Sequence, residues 1–282
     1  MHTHRFAGVL MIGVASLSCA ASADVVELVA VADATLYEDD SGALADGAGP
    51  HLFAGYTLRN SSRFRRALLR FDVSAIPSDA RILDVSLRLY MSRSIAGDAP
   101  VTLHRAERGW SEGPTIADGS GGGGGVARPG DATWRHALNP SVPWTAPGGD
   151  YSEDPAATLD VGGEGFYTWT SNELLVDLVD SWKRFPFQNF GMLVRGDEGS
   201  SGSVKRFESR ENPDPARRPV LIVEFARCPA DFNQDGGVDG GDVADFFETW
   251  SQGASAADVN LDGGVDGSDI DAFFVPWEAG GC

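Results

Sequence analysis

Two short stretches near the C-terminus carry the residues best suited to chemistry. Asp231-x-Asn233-x-Asp235-Gly236-Gly237-Val238-Asp239-Gly240-x-Asp242 recurs 27 positions later as Asp258-x-Asn260-x-Asp262-Gly263-Gly264-Val265-Asp266-Gly267-x-Asp269. So many coincidences at one offset are an internal repeat. The chemistry is that of a hard cation, since calcium takes about six to eight oxygens. Loop positions 1, 3 and 5 supply side-chain oxygens from Asp231, Asn233 and Asp235, and from Asp258, Asn260 and Asp262. Glycine at position 6 allows the chain to turn sharply around an ion. Position 7, Gly237 or Gly264, offers its backbone carbonyl. Asp239 and Asp266 stand at position 9, and Asp242 and Asp269 at position 12, where a longer Glu is usual.

The elements that must position these loops follow them directly. Val243, Phe246, Phe247 and Trp250 have the spacing of one helix face, and Ile270, Phe273, Phe274 and Trp277 repeat it. Pro276 is expected to end or kink the second helix early. From Pro229 to Cys282 there are ten Asp, two Glu and no Lys or Arg, which puts −12 of the chain's −19 on this segment. A disordered acidic tail has no use for two aromatic stripes. Each loop gathers four Asp, so folding of the segment is expected to depend on two bound calcium ions.

These residues resemble a type I dockerin module, a pair of F-hand calcium loops each followed by a helix, with Asp at position 12. The resemblance covers 228–282 and implies the ligands already named. It also implies a cohesin-like or cell-surface anchoring partner. Cohesin contacts usually involve small hydroxylated residues at the helix starts, where this chain has Ala244-Asp245 and Asp271-Ala272. A purely structural calcium knot is the alternative.

Ahead of the repeat, residues 24–227 read as β-structure. Leu69, Phe71 and Val73 alternate with polar neighbours, as do Leu83, Val85, Leu87, Leu89 and Met91, and Val220 to Phe225 reads as a buried final strand. With 35 Gly and 15 Pro in the chain, the expected fold is mainly β: an antiparallel sandwich with one short helix. That helix is expected at Leu175, Leu178, Val179 and Trp182, with Thr170 and Glu173 as a capping box. Gly119 to Gly125 reads as a flexible insert, and 126–165 as long loops without an assignable strand.

Four segments carry a second resemblance: RALLRFDVSAIPSDARILDVSLRLYM (66–91), VTLHRAERGWSEG (101–113), LVDLVDSWKRFPFQNFGMLVRGDE (175–198) and KRFESRENPDPARRPVLIVEF (205–225). Together they resemble the DNRLRE family, which overlaps carbohydrate-binding module family 96. The resemblance implies a jelly-roll type sandwich and no catalytic residues.

The beginning of the chain reads as an export signal. His2, His4 and Arg5 precede an apolar run from Phe6 to Leu17, and Ala21-Ser22-Ala23 forms a small-x-small site with cleavage expected before Asp24. The run is too short to span a bilayer. Removal of 1–23 takes Cys19 and leaves Cys228 and Cys282, so in an oxidising compartment their disulfide is the default expectation. The acidic balance speaks against nucleic acid and against anionic membranes as partners.

Other chemistry finds little support. There is no H-E-x-x-H, no G-x-S-x-G and no phosphate-binding glycine loop, and the chain is expected not to be an enzyme. A carboxylate dyad of glycosidase type passes by counting alone. Polysaccharide is the expected partner of the sandwich. Sugar binding needs exposed aromatic rings, with Arg or Lys where the sugar is acidic. The candidates are Trp134, Trp144, Tyr167 and Trp169, with Arg59, Arg63 and Arg65. Trp110 and Trp182 read as core or turn packing. DATLYEDD (33–40) offers oxygens for a structural calcium. A structural matrix protein without sugar binding and a polysaccharide lyase stand as alternatives.

Overall fold

The structure is a computed structural model describing residues 23–61, 63–78, 80–235, 237–260 and 262–278. The expected signal segment, apart from Ala23, and Cys282 lie outside the described residues. Cys228 is buried, and its pairing with Cys282 stays an expectation. The chain divides into two compact units, Ala23–Arg227 and the C-terminal residues from Cys228 onward.

The first unit is mainly β. Its strands are β1 (Ala23–Tyr37), β2 (Leu44–Asp46), β3 (His51–Tyr56), β4 (Phe64–Phe71), β5 (Ala80–Ser94), β6 (Ala99–Arg105) and β7 (Gly125–Val126). There follow β8 (His136–Leu138), β9 (Val142–Pro143), β10 (Ala157–Val161), β11 (Gly165–Trp169), helix α1 (Glu173–Arg184), β12 (Met192–Arg195), β13 (Lys205–Glu208) and β14 (Val220–Arg227). All the pairings are antiparallel.

Two ladders share strands. One joins β11, β5, β13, β14, the start of β3 and the start of β1. The other joins β10, β6, β12, β4, β2, β7 and the far ends of β1 and β3. β1 changes partner from β14 to β4 at an irregularity between Ala30 and Ala32. An extra residue there turns the strand and reverses which side chains face inward.

The alternation along each strand explains the burial. Leu69 and Phe71 of β4, Leu87 and Leu89 of β5, and Met192 and Val194 of β12 enter one core with Leu175, Leu178, Val179 and Trp182 of α1. Leu68 and Leu193 point the other way. They meet a second core with Ala34, Leu36, Trp110, Trp134 and Trp144. The second ladder is therefore covered on both faces, and the loop-rich stretch from 106 to 151 supplies the second cover.

That stretch departs from the sequence expectations. Residues 126–165 contain β8, β9 and β10. Gly119 to Gly125 is not a free insert: Tyr37 donates to the Gly121 carbonyl at 2.8 Å and Arg65 to the Gly122 carbonyl at 3.2 Å. Gly124, at φ +74°, lies where a Cβ would come within 3.1 Å of the Tyr37 ring, so the glycines admit close packing here. Helix α1 forms as its spacing predicts, but Asn172 is its cap, accepting from the Leu175 amide at 3.0 Å.

The second unit holds helices α2 (Gly240–Ser251) and α3 (Gly267–Glu278). Phe246 and Phe273, both fully buried, stack at 4.4 Å with their planes 5° apart. Phe232, Val243, Trp250, Ile270, Phe274 and Trp277 surround them. Pro276 does not end α3 early, and the helix continues to Glu278. So near the C-terminus the ring forfeits few backbone bonds.

Candidate metal centres and a polar groove

Among the described residues, the two loops share the same pattern of backbone-to-carboxylate hydrogen bonds. Position 9 is the helix N-cap in the first loop: Asp239 caps α2 in a reciprocal capping box with Asp242 at N3. Asp242 and Asp269, at position 12, are each fully buried. Asp242 accepts from the amides of Asn233 at 3.0 Å and Asp239 at 2.8 Å. Asp269 does the same with Asn260 at 3.3 Å and Asp266 at 2.8 Å. The shorter acid therefore fits by reaching inward to tie positions 3 and 9 together.

The other oxygens fall into the same order. The side-chain oxygens of Asn233 and Asn260 accept from the amides of Asp235 and Asp262, both at 2.9 Å. Those carboxylates accept in turn from Gly237 at 2.8 Å and Gly264 at 3.0 Å. Asp239 and Asp266 accept from the amides of Gly241 at 2.7 Å and Ser268 at 2.8 Å. The amide and hydroxyl of Ser268 hold the exposed Asp266 carboxyl below the usual range, so it is ionised at neutral pH.

The donor set fits calcium. Every donor is oxygen, and Asp258 presents one oxygen, Oδ1, that is buried without a hydrogen-bond partner, while its Oδ2 accepts from Gly263 at 3.0 Å. An unpaired buried carboxylate oxygen is costly, and a cation would satisfy it. Asp231, Asn233, Asp235, Gly237, Asp239 and Asp242 would hold one ion, and Asp258, Asn260, Asp262, Gly264, Asp266 and Asp269 the other.

Sequence reasoning missed one feature of this unit. Trp250 Nε1 donates to the Asp266 carbonyl at 2.9 Å, and Trp277 Nε1 to the Asp239 carbonyl at 3.3 Å. The signal was present in the 27-residue offset, which relates both donors and both acceptors.

Most of the sugar-binding candidates need correction. Arg65, Trp134, Trp144 and Trp169 are 0, 7, 6 and 1 % exposed. Arg65 lies 4.6 Å over the Tyr37 ring, and burial lowers its pKa to about 10. Trp134 lies under Arg66, Trp144 donates to the Thr133 carbonyl, and Trp169 donates to the Val101 carbonyl. Each is held by packing, and none offers a platform. Tyr167 is half-buried, with its hydroxyl donating to the Gly163 carbonyl at 2.8 Å. Its neighbour Phe166, sent outward by alternation, is 53 % exposed against Tyr90. Arg59 and Arg63 do reach solvent.

Phe64, the residue after Arg63, opens on a groove of about 520 Å³ lined also by Pro100, Thr102, Arg195, Asp197 and Glu198. Tyr56 and Phe64 meet edge to face at 5.1 Å, and the Arg63 guanidinium lies 5.8 and 5.5 Å over their rings. Glu198 forms the floor of charge: Arg66 and Arg195 donate to it at 2.7 and 2.9 Å. Burial would raise this carboxyl, but the two guanidiniums hold it below its ordinary value.

Asp33, from DATLYEDD, lies with Glu112 and Glu211 in an acidic group whose oxygens are within 4.8 Å of one another. Among the described residues it is the one acidic group drawn together so closely. Burial raises the Asp33 carboxyl well above its usual range. Arg210 already serves this group, donating to both Glu112 oxygens at 2.6 and 2.7 Å and lying 2.9 Å from Glu211. A cation there would face a guanidinium.

No family model matches the chain, and no curated protein is similar to it. No helix among the described residues is long and apolar enough to cross a membrane.

Proposed function

We propose that this is an exported, non-catalytic protein. Its dockerin-like C-terminal unit binds two calcium ions and anchors or recruits a polysaccharide-binding β-sandwich. The observation that carries the reading is the pair of matching loops, with position-12 carboxylates fully buried and oxygens at every expected position. Support for a jelly-roll type sandwich comes from the two ladders, which share β1 and β3 and fill one core from both sides.

The groove that opens at Phe64 is the best place for a sugar. Its volume suits a small ligand, for which about 300–1,000 Å³ is typical. Phe64 offers an apolar surface, while Thr102, Asp197 and Arg195 offer hydroxyl, carboxylate and guanidinium partners.

Affinity electrophoresis of the full chain against neutral and uronate polysaccharides tests this. Retardation by one polymer class is expected, reduced at least tenfold in affinity by Phe64→Ala and left intact by Phe166→Ala. Lack of retardation by every polymer would make the sandwich a spacer.

A further inference from the structure

Each indole of the C-terminal unit crosses to the other loop. Trp250 is near the end of α2, which starts in the first loop, yet it donates to the Asp266 carbonyl of the second loop at 2.9 Å. Trp277 is near the end of α3, which starts in the second loop, yet it donates to the Asp239 carbonyl of the first at 3.3 Å. The acceptors are the position-9 residues. In both loops the position-9 amide is also held by the position-12 carboxylate, at 2.8 Å.

We infer that these two crossed indole bonds couple the calcium loops, so that filling one raises the affinity of the other. The inference rests on the proposed calcium binding. An ion in the first loop gathers Asp239 and Asp242, which stand at N-cap and N3 of α2. That fixes the start of α2 and the carbonyl that Trp277 holds. The fixed helix in turn presents Trp250 to Asp266. The same steps run in reverse from the second loop, as thermodynamic linkage requires. The stacked pair Phe246 and Phe273 keeps the two helices in register, and Phe232 of the first loop packs on both rings at 5.4 and 6.4 Å, but these contacts are apolar. Among the described residues, the indole N–H groups are the polar contacts that reach from one helix to the opposite loop.

A double-mutant cycle on the full chain tests this, with calcium titrated by calorimetry. Asp262→Ala cripples the second loop. It is expected to weaken calcium binding at the intact first loop by about 5- to 150-fold, the usual range of such coupling. In a Trp250→Phe, Trp277→Phe background, which keeps the rings but removes both N–H donors, the same lesion is expected to leave the first loop nearly unaffected. Two ions binding independently in the unaltered chain would overturn the coupling while leaving calcium binding standing. Coupling that survives both Phe substitutions would overturn the assignment to the indoles. No calcium binding at all would overturn both readings.

Discussion

Asp46 shows how one buried group sets a pH dependence. Burial pushes its carboxyl up to about 6. It accepts from the Ala117 amide at 3.2 Å, and its other oxygen lies 3.4 Å from the Tyr37 hydroxyl. The folded state thus holds a proton that the unfolded state gives up near pH ~3.9. Its contribution to stability is fully present below that value and is lost as pH rises through about 6. Asp46→Asn keeps an acceptor for Ala117 and does not titrate. Calorimetric melts should show the variant gaining on the unaltered chain between pH 4 and 6, by more at pH 7 than at pH 4. A constant offset across that range would contradict the argument. At this scale the oxygen donors proposed for calcium were legible in the sequence, because each short loop supplies its own set. The fates of Arg65, Trp134, Trp144 and Trp169 were not. Their burial depends on which loops fold over the second ladder, and local sequence does not encode that.

Helix α1 carries its information in two forms. The apolar spacing of Leu175, Leu178, Val179 and Trp182 was readable and is the buried face. The cap was misplaced by two residues, because both Thr170 and Asn172 can accept from the first turn, and only geometry chooses between them. Asn172 also donates to the Ala156 carbonyl at 2.9 Å, tying the helix start to the end of the loop region. Asn172→Ala is therefore expected to cost about 1 kcal/mol from the cap alone and more with the second bond. Chemical denaturation of the full chain should show the loss, and Asn172→Asp should restore the cap but not the bond to Ala156. In the second unit, Pro276 gave the wrong boundary for α3. Proline is a strong breaker inside a helix and a weak one in the last turn.

For the molecule as a whole, alternation disclosed strands but not partners. β4 and β12 send Leu68 and Leu193 to one core and Leu69, Phe71, Met192 and Val194 to the other, and the alternation of Leu69, Phe71 and Val73 made β4 readable as a strand. Which ladder takes β1 at each end was not readable. The switch rests on an irregularity between Ala30 and Ala32, within a run that reads as one continuous strand. The 27-residue repeat, by contrast, marks out the second unit by itself, because its symmetry is written in the order of its residues.

The central claim is that the repeat is a pair of calcium loops, and calorimetric titration of calcium into the chelator-stripped chain tests it most directly. Two ions per chain are expected, falling to one in Asp242→Ala, in which the first loop loses the carboxylate that ties positions 3 and 9. A chain that binds no calcium, or that binds two ions with Asp242 and Asp269 both replaced by Ala, would contradict the account.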